Sequence, residues 1–308
     1  MRKIINRTYR LKNFLRDDIW ELEMEELSKA KARFVKYMKV LIITIKTFST
    51  QKIGFQAVAL SFFSTMSVVP FIAIVFAVTG GLGLADKLET LLYNYFENSQ
   101  QTIDIILGAA NNIIKTSLGG GMGLVSGLLF VWIVVWMMLS VERVFNNVWK
   151  VHINRNIFKR LTYILAMLAI APLLVLVFFS GTIMYSHLLE SIGLDLETFG
   201  IFKTLLSWSL FAIVATFTFS AMYKFIPNAT VRYGNALRAA IPAAIAFTVV
   251  NYLYLETQVF VTRINAIYGV FAAVPLFMVW INVGWYIILI GSELSYAFQN
   301  VDNYNLDD

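Results

Sequence analysis

The sequence contains no cysteine, and only two of its 308 residues are histidine. The lack of thiols excludes disulfide bonds, iron–sulfur clusters, thiolate metal sites and cysteine nucleophiles. The Gly-Lys pair of an ATP-binding loop, the Gly-x-Ser-x-Gly turn of a hydrolase and the His-x-x-x-His spacing of a zinc site are also absent. The sequence therefore predicts no catalytic residue, no metal site and no bound cofactor.

Charged residues are scarce as well, at 14% of the chain against 58% hydrophobic residues. A soluble domain has about 25% charged residues, so much of this chain must face something other than water. A helix needs roughly 20 apolar residues to cross about 30 Å of hydrocarbon. Six long runs have no charged residue and predict an all-α membrane bundle of about six spans: 53–85, 116–141, 161–189, 204–223, 239–255 and 264–292.

The basic residues are distributed very unevenly between these runs. Segments 1–52, 142–160 and 224–238 hold 21 of the 25 lysines and arginines. The positive-inside rule places these segments in the cytoplasm, and six crossings then leave both termini there. The net charge of +6 is thus explained by topology and by attraction to anionic lipid, so we expect no nucleic-acid partner. His152 and His187 would lie on opposite sides of the membrane.

These features divide the chain into a basic cytoplasmic segment, 1–52, a six-span domain, 53–298, and an acidic cytoplasmic tail, 299–308. Apolar residues at steps of three and four predict an amphipathic helix from Asp17 to Lys46. This helix either rests on the inner leaflet or packs on the inner face of the bundle. The external loop, about 84–118, has the pattern of two short amphipathic helices that cap the bundle.

Three glycines, Gly119, Gly123 and Gly127, recur at steps of four at the entry to the second span. Such a bare face permits close approach of another helix, either within the bundle or in a homo-oligomer. All five prolines fall inside the predicted spans or at a span boundary, and Pro70 predicts a kink or a break in the first span. Several interrupted helices around a cavity are typical of transporters.

Polar residues at membrane depth are the remaining candidates for function, because they are unfavourable there unless they are paired. Asn251 and Asn282 are the deepest amides, and each could instead form a single interhelical hydrogen bond. Glu142, Arg238 and Glu293 lie near the inner boundary with Arg143. They form either a buried charge cluster or a set of groups at headgroup level.

Three blocks of sequence resemble the YihY/BrkB family of bacterial inner-membrane proteins, which was once described as a ribonuclease family. One block is a Ser-x-x-Pro pattern in the first span, and another is an Asn-x-x-Trp pair, Asn146 and Trp149, after the second. The third combines a Pro-Asn turn, a Tyr-Gly entry to the last span and a Gly-x-Glu exit. The blocks occupy residues 59–78, 136–151, and 225–244 with 264–294.

The resemblance implies six spans and an inner-membrane location. The chain departs from the family at Asn282, where an aromatic residue is more usual, and around Pro242, where glycine is. Three functions remain open: a transporter or translocator of a lipid or small amphiphile, an assembly protein that recruits cytoplasmic partners, and a membrane-bound hydrolase. The first would use Pro70, Asn251, Asn282, Arg238 and Glu293, and the third needs Glu142 and Glu293 to share a metal ion.

Overall fold

The computed structural model describes residues 19–21, 27–95, 100–117, 121–151, 156, 158–160, 162–163, 166, 200–268 and 270–304. Every regular element in this part of the chain is an α-helix, which confirms the all-α prediction. After a helical turn at Ile19–Glu21, the helices are α1 (Lys29–Thr50), α2 (Ile53–Gly81), α3 (Ala85–Tyr95), α4 (Gln100–Ser117), α5 (Gly121–Val148), α6 (Gly200–Phe225), α7 (Tyr233–Tyr268) and α8 (Val270–Asn300).

Five helices in the described residues are long and apolar enough to cross a membrane. They contain the candidate spans Ile53–Gly81, Val125–Val148, Trp208–Phe225, Tyr233–Thr257 and Pro275–Asn300. Each overlaps one of the uncharged runs of the sequence. The remaining run, 161–189, falls almost wholly outside the described residues, so the count of six spans stays a prediction.

Prolines lie within three of these helices without ending them. Pro70 is inside α2, Pro242 inside α7 and Pro275 inside α8, and each helix continues on both sides. A helix in a bundle tolerates proline when its neighbours and nearby hydroxyl groups satisfy the freed backbone groups. Of the kink or break predicted at Pro70, the break is absent from α2, and none of the three described helices that contain a proline is interrupted. Pro172 lies outside the described residues.

The main core lies where α2, α5, α6, α7 and α8 meet. Helix α7 is the centre of one group, with α6 and α8 against it, and α2 links α8 to α5. Small side chains on α7 allow this close packing, because helices with alanine at the interface can bring their backbones together. Four of these alanines are buried: Ala239, Ala240, Ala243 and Ala244.

Helices α3 and α4 pack against the C-terminal half of α2, which matches the two amphipathic helices predicted for the 84–118 loop. Val75 and Phe76 of α2 meet Leu88 of α3 and two residues of α4, Ile103 and Leu107. Tyr93 donates a hydrogen bond to Asp104, which joins α3 to α4. This hydrogen bond stabilises the neutral phenol and raises the pKa of Tyr93 to about 12.

Helix α1 packs along the C-terminal part of α8. Val40 and Ile43 are fully buried against Ala297 and Val301. Away from that contact α1 exposes an apolar stripe, Phe34, Leu41 and Ile45. Tyr37, beside the stripe, is half exposed and meets the ring of Phe298 edge-on at 5.8 Å. The helix therefore packs on the bundle and also presents exposed apolar side chains.

Charged contacts strengthen the attachment of α1. Lys36 pairs with Asp302 at 2.8 Å. Burial lowers the pKa of Lys39, and the carboxylate of Asp302 offsets part of that effect. The segment after α8 therefore helps to hold α1 in place.

Candidate functional site

One end of the bundle collects all three basic segments of the chain. Asn146, in the second segment, accepts a hydrogen bond at 2.7 Å from the backbone N–H of Asn228, in the third. Gln299, at the end of α8, accepts one at 2.8 Å from the backbone N–H of Arg232. Since α1 packs on the same part of α8, all three segments lie on one side, and we call this side the basic end.

A row of buried hydroxyl groups runs along α2. Ser61, Ser64 and Ser67 recur every three residues, so they lie on one face of the helix, and all three are buried. Asn282 of α8 donates to the hydroxyl of Ser61 at 3.3 Å, and Trp285 donates its indole N–H to that of Ser64 at 2.8 Å. We call these five residues the serine seam.

The seam continues toward α5. The hydroxyl of Ser67 lies 2.9 Å from the sulfur of Met137 and also donates to the carbonyl of Ser64 at 3.1 Å. Pro70 is buried one turn further along the same helix. Three spans therefore contribute to a polar strip within an otherwise apolar bundle.

We expect Trp285→Phe to destabilise the protein more than Asn282→Leu does. The indole bond is shorter, 2.8 Å against 3.3 Å, and a hydrogen bond between membrane helices contributes about 0.6 kcal/mol on average and about 1.7 kcal/mol at most. Thermal unfolding of both variants in the same detergent measures the difference. Equal melting temperatures of the two variants would contradict this ranking.

Glu142 lies at the basic end and forms the buried ion pair of the site. Its carboxylate accepts a hydrogen bond at 2.8 Å from Nε of Arg160, and only 6% of its side chain is exposed, against 26% for the arginine. A buried carboxylate needs such a partner, because removing it from water is unfavourable. Nothing in the sequence pattern indicated Arg160 as that partner.

Glu293 is the second buried carboxylate at this end, and its environment is different. Its exposure is 0%, and neither oxygen has a hydrogen-bond partner among the described residues. Lys150 is the charged residue that acts on it electrostatically. The ammonium group of Lys150 lies over the rings of Tyr296 and Tyr304, at 5.9 and 5.7 Å from their centroids.

Other buried polar groups near this end also have no hydrogen-bond partner in the described part of the chain. They are the indole N–H of Trp149 and the hydroxyls of Ser220, Tyr223, Ser292 and Ser295. Native proteins leave few such groups unsatisfied, so each one invites a functional or structural explanation. Several buried polar groups without a partner are thus found close to Glu293 in sequence or on the helices that pack with α8.

The structure separates the residues that the sequence grouped at the inner boundary. Glu142 and Glu293 are buried, whereas Arg143 and Arg238 are exposed, so no single buried cluster unites the four. Asn251 is buried in α7, and among the described residues it has no serine partner of the kind that Asn282 has.

The glycine motif is covered only in part. Gly119 lies outside the described residues, Gly123 is helical in α5, and Gly127 is partly buried in the same helix. Packing and homo-oligomer formation through this face both stay predictions.

The serine seam was missed at the sequence level except for Asn282. The signal was available, since three serines at three-residue steps in an uncharged run lie on one helix face. What the sequence could not provide was the partner, because the rotation of α8 decides that Asn282 and Trp285 face α2.

Within the described residues, no three histidine, cysteine, aspartate or glutamate side chains lie together as a metal site would require. Both histidines, His152 and His187, fall outside those residues. Among the described residues of the basic end, the buried carboxylates of Glu142 and Glu293 therefore stand singly and form no metal-binding cluster.

Known sequences provide a further comparison. The family model described as "Virulence factor BrkB" matches residues 44–308. A UPF0761 membrane protein of Chromohalobacter salexigens is 30% identical, with 78% of this chain and 58% of the relative covered. One from Actinobacillus pleuropneumoniae is 26% identical, with 87% of this chain and 94% of the relative covered.

Another UPF0761 membrane protein, from a Janthinobacterium species, is 28% identical over 79% of this chain. The chain spans between half and two thirds of the length of several of these relatives, 58% and 55% for the Chromohalobacter and Janthinobacterium proteins. No solved structure matches the chain.

Proposed function

Since the chain belongs to the BrkB family of membrane proteins, as its sequence blocks indicated, we propose that it moves a lipid or another small amphiphile across the bacterial inner membrane. Membership of this family shows that the chain is a membrane protein but does not identify its cargo. Both termini would lie in the cytoplasm, where the positive-inside rule puts the basic end. The bilayer is then the environment of the protein and also the source of its substrate.

The serine seam is the observation that carries this proposal. Polar side chains inside a membrane bundle are uncommon, and they often line the route of a polar group. The seam puts three hydroxyls, an amide and an indole N–H along α2 and α8. A polar headgroup that slides between these helices could exchange hydrogen bonds with the seam while its acyl chains stay in the hydrocarbon.

A lipid-transfer assay tests the proposal. The protein is reconstituted in liposomes that contain a fluorescent phospholipid, and a membrane-impermeant quencher reports the fraction of label that reaches the outer leaflet. We expect transfer above that of protein-free liposomes. We expect a fall of about five- to tenfold in the double variant Ser61→Ala with Ser64→Ala, since about 1 kcal/mol of lost stabilisation corresponds to that factor.

Ser209→Ala is the matched control. Ser209 is exposed on α6, and its hydroxyl donates only to a carbonyl of its own helix, that of Leu205. The control should retain the unmodified rate. Transfer equal to that of empty liposomes with a range of lipids and amphiphiles, or a double variant as fast as the control, would reject the proposal.

A second function, the recruitment of partners, is supported by the exposed stripe of α1. Phe34 and Ile45 are 66% and 68% exposed, and the helix has six basic and no acidic residues. Because Val40 and Ile43 of the same helix are part of the core, deletion of the N-terminal segment would damage the bundle. Serine substitutions at Phe34 and Ile45 are the sharper test, and an unchanged phenotype in that variant would argue against recruitment.

A hydrolase is not proposed. That hypothesis needs Glu142 and Glu293 to share a metal ion, but Glu142 is paired with Arg160. The described residues offer no third acidic or histidine ligand beside them.

A further inference from the structure

Glu293 is completely buried on a face of α8 that packs against other elements. Residues at steps of three and four share a helix face, so Leu289, Tyr296 and Ala297 lie beside Glu293. Leu289 and Ala297 have 0% exposure, as Glu293 does. The apolar neighbours on this face therefore bury the carboxyl group, whatever its charge.

The surrounding elements can be identified from the neighbours on that face. Helix α1 covers Ala297 through Val40 and Ile43. The end of α5 covers Tyr296, since the Trp149 ring meets the Tyr296 ring edge-on at 5.7 Å. Access to Glu293 thus requires α1 or the end of α5 to move.

The charged and titratable groups around this face are few. From the end of α5 comes Lys150, whose ammonium is held over two tyrosine rings. From α1 come Lys39, over the ring of Trp20, and Lys46, over that of Tyr304. After α8 comes the carboxylate of Asp302, which pairs with Lys36 at 2.8 Å and also acts on Lys39.

The other elements add little charge near Glu293. Helix α2 contains no charged residue. On α6, Tyr223 lies against Gly291, two residues before Glu293 and so on the opposite side of α8. The three lysines each lie over an aromatic ring, and the carboxylate oxygens of Glu293 have no partner among the described residues.

We propose that Glu293 is a proton-binding site, which takes up a proton when the basic end is closed and releases it when that end opens. Burying an ionised carboxylate without a partner is strongly unfavourable, whereas a neutral carboxyl group avoids most of that penalty. In the closed form a proton from water bonds to one carboxylate oxygen. In the open form that O–H bond breaks, the proton returns to water, and the ammonium of Lys150 can approach the carboxylate.

The inference rests on the proposed transport function in one respect only: proton exchange at Glu293 would supply the coupling ion for the cargo. A coupled carrier needs an ion-binding group that is accessible to water in one conformation and enclosed in the other. Single carboxyl groups in membrane bundles often have this role. Proton binding itself can be measured without any cargo. A failure of this inference is therefore distinguishable from a failure of the transport proposal.

Infrared difference spectroscopy tests the site directly. The protein is placed in lipid nanodiscs, and spectra are recorded between acidic and alkaline buffer. We expect the C=O stretch of a protonated, buried carboxyl group to appear on the acidic side and to disappear on the alkaline side. Glu293→Gln should lose this band, and Glu256→Gln, at an exposed glutamate of α7, should keep it.

Two further measurements keep the test decisive. Glu293→Asp retains a carboxyl group, so the band should shift in frequency rather than vanish, and this assigns it even if the glutamine variant folds poorly. The pH response of the unmodified protein needs no variant at all. A band that is missing, or insensitive to pH, or retained in Glu293→Gln would overturn the proposal, as would replacement of the pH response by a dependence on sodium ions.

Discussion

Gly291→Ala is expected to lower the thermal stability of the protein sharply, although it adds only one methyl group. The new carbon would overlap the hydroxyl oxygen of Tyr223 and would lie 2.8 Å from Cζ of the same ring and 2.9 Å from Cβ of Ala243. Overpacking of this kind typically costs about 1–3 kcal/mol, and here the closest contacts are far inside van der Waals distance. The gain in helix propensity, about 1 kcal/mol, is too small to compensate.

The neighbours of Gly291 have little room to move. Tyr223 is completely buried, and its ring packs against Phe145 and Phe219 with centroids 6.4 and 6.3 Å apart. Cβ of Ala243 is fixed to the backbone of α7. Relief of the clash therefore requires a shift of a whole helix.

Thermal unfolding in detergent, together with the fraction of monodisperse protein after purification, measures the effect. Gly234→Ala is the matched control, because a Cβ there meets nothing within 4 Å. The double variant with Tyr223→Phe should recover part of the loss, since it removes the nearest atom. If Gly291→Ala melts at the temperature of the control, that result would contradict the tight packing of α6, α7 and α8 described at this point.

Arg160→Ala is the second substitution with a large expected effect, and we expect it to be more harmful than Glu142→Ala. Removing one partner of a buried pair costs about 3–5 kcal/mol, because it leaves an uncompensated charge. The glutamate side chain is only 6% exposed, whereas the arginine is 26% exposed and can turn toward water. Leaving Glu142 without its partner is therefore more destabilising than leaving Arg160 without its own.

A double-mutant cycle separates this explanation from a simple loss of packing. Arg160→Ala with Glu142→Leu should be more stable than Arg160→Ala alone, since no charge then remains buried. Arg143→Ala, at the exposed arginine beside Glu142, is the control and should change the stability by less than about 0.5 kcal/mol. Additive effects in the cycle would mean that the two side chains do not interact.

The proposals for function depend on different parts of the molecule and can fail separately. Lipid transfer depends on the serine seam, whereas proton binding depends on Glu293, which occupies another stretch of α8. Loss of transfer in the seam variants with an intact carboxyl band would place the route of the cargo and the proton site apart. If instead transfer is unaffected by loss of the carboxyl band in Glu293→Gln, Glu293 would be a proton site with another role.

The sequence by itself determined the class of fold, the approximate limits of five spans and the family. These follow from composition and hydropathy, which are local: a helix of about 20 apolar residues prefers hydrocarbon whatever its neighbours are. The grouping of the basic segments on one side was predictable for the same reason, since each loop responds to the membrane separately. The polar candidates were identified only by residue type. The sequence left open whether Arg238 is buried or at headgroup level, and the structure has it exposed.

The tertiary structure alone decided which of those polar residues have partners. Asn282 meets Ser61, Glu142 meets Arg160, and Glu293 meets no partner in the described part of the chain. Sequence spacing fixes the face of one helix that a side chain occupies, but the rotation and the neighbours of that helix come from packing all the helices together. For this reason the burial of Glu293 and the tight contact at Gly291 could not be read from the chain.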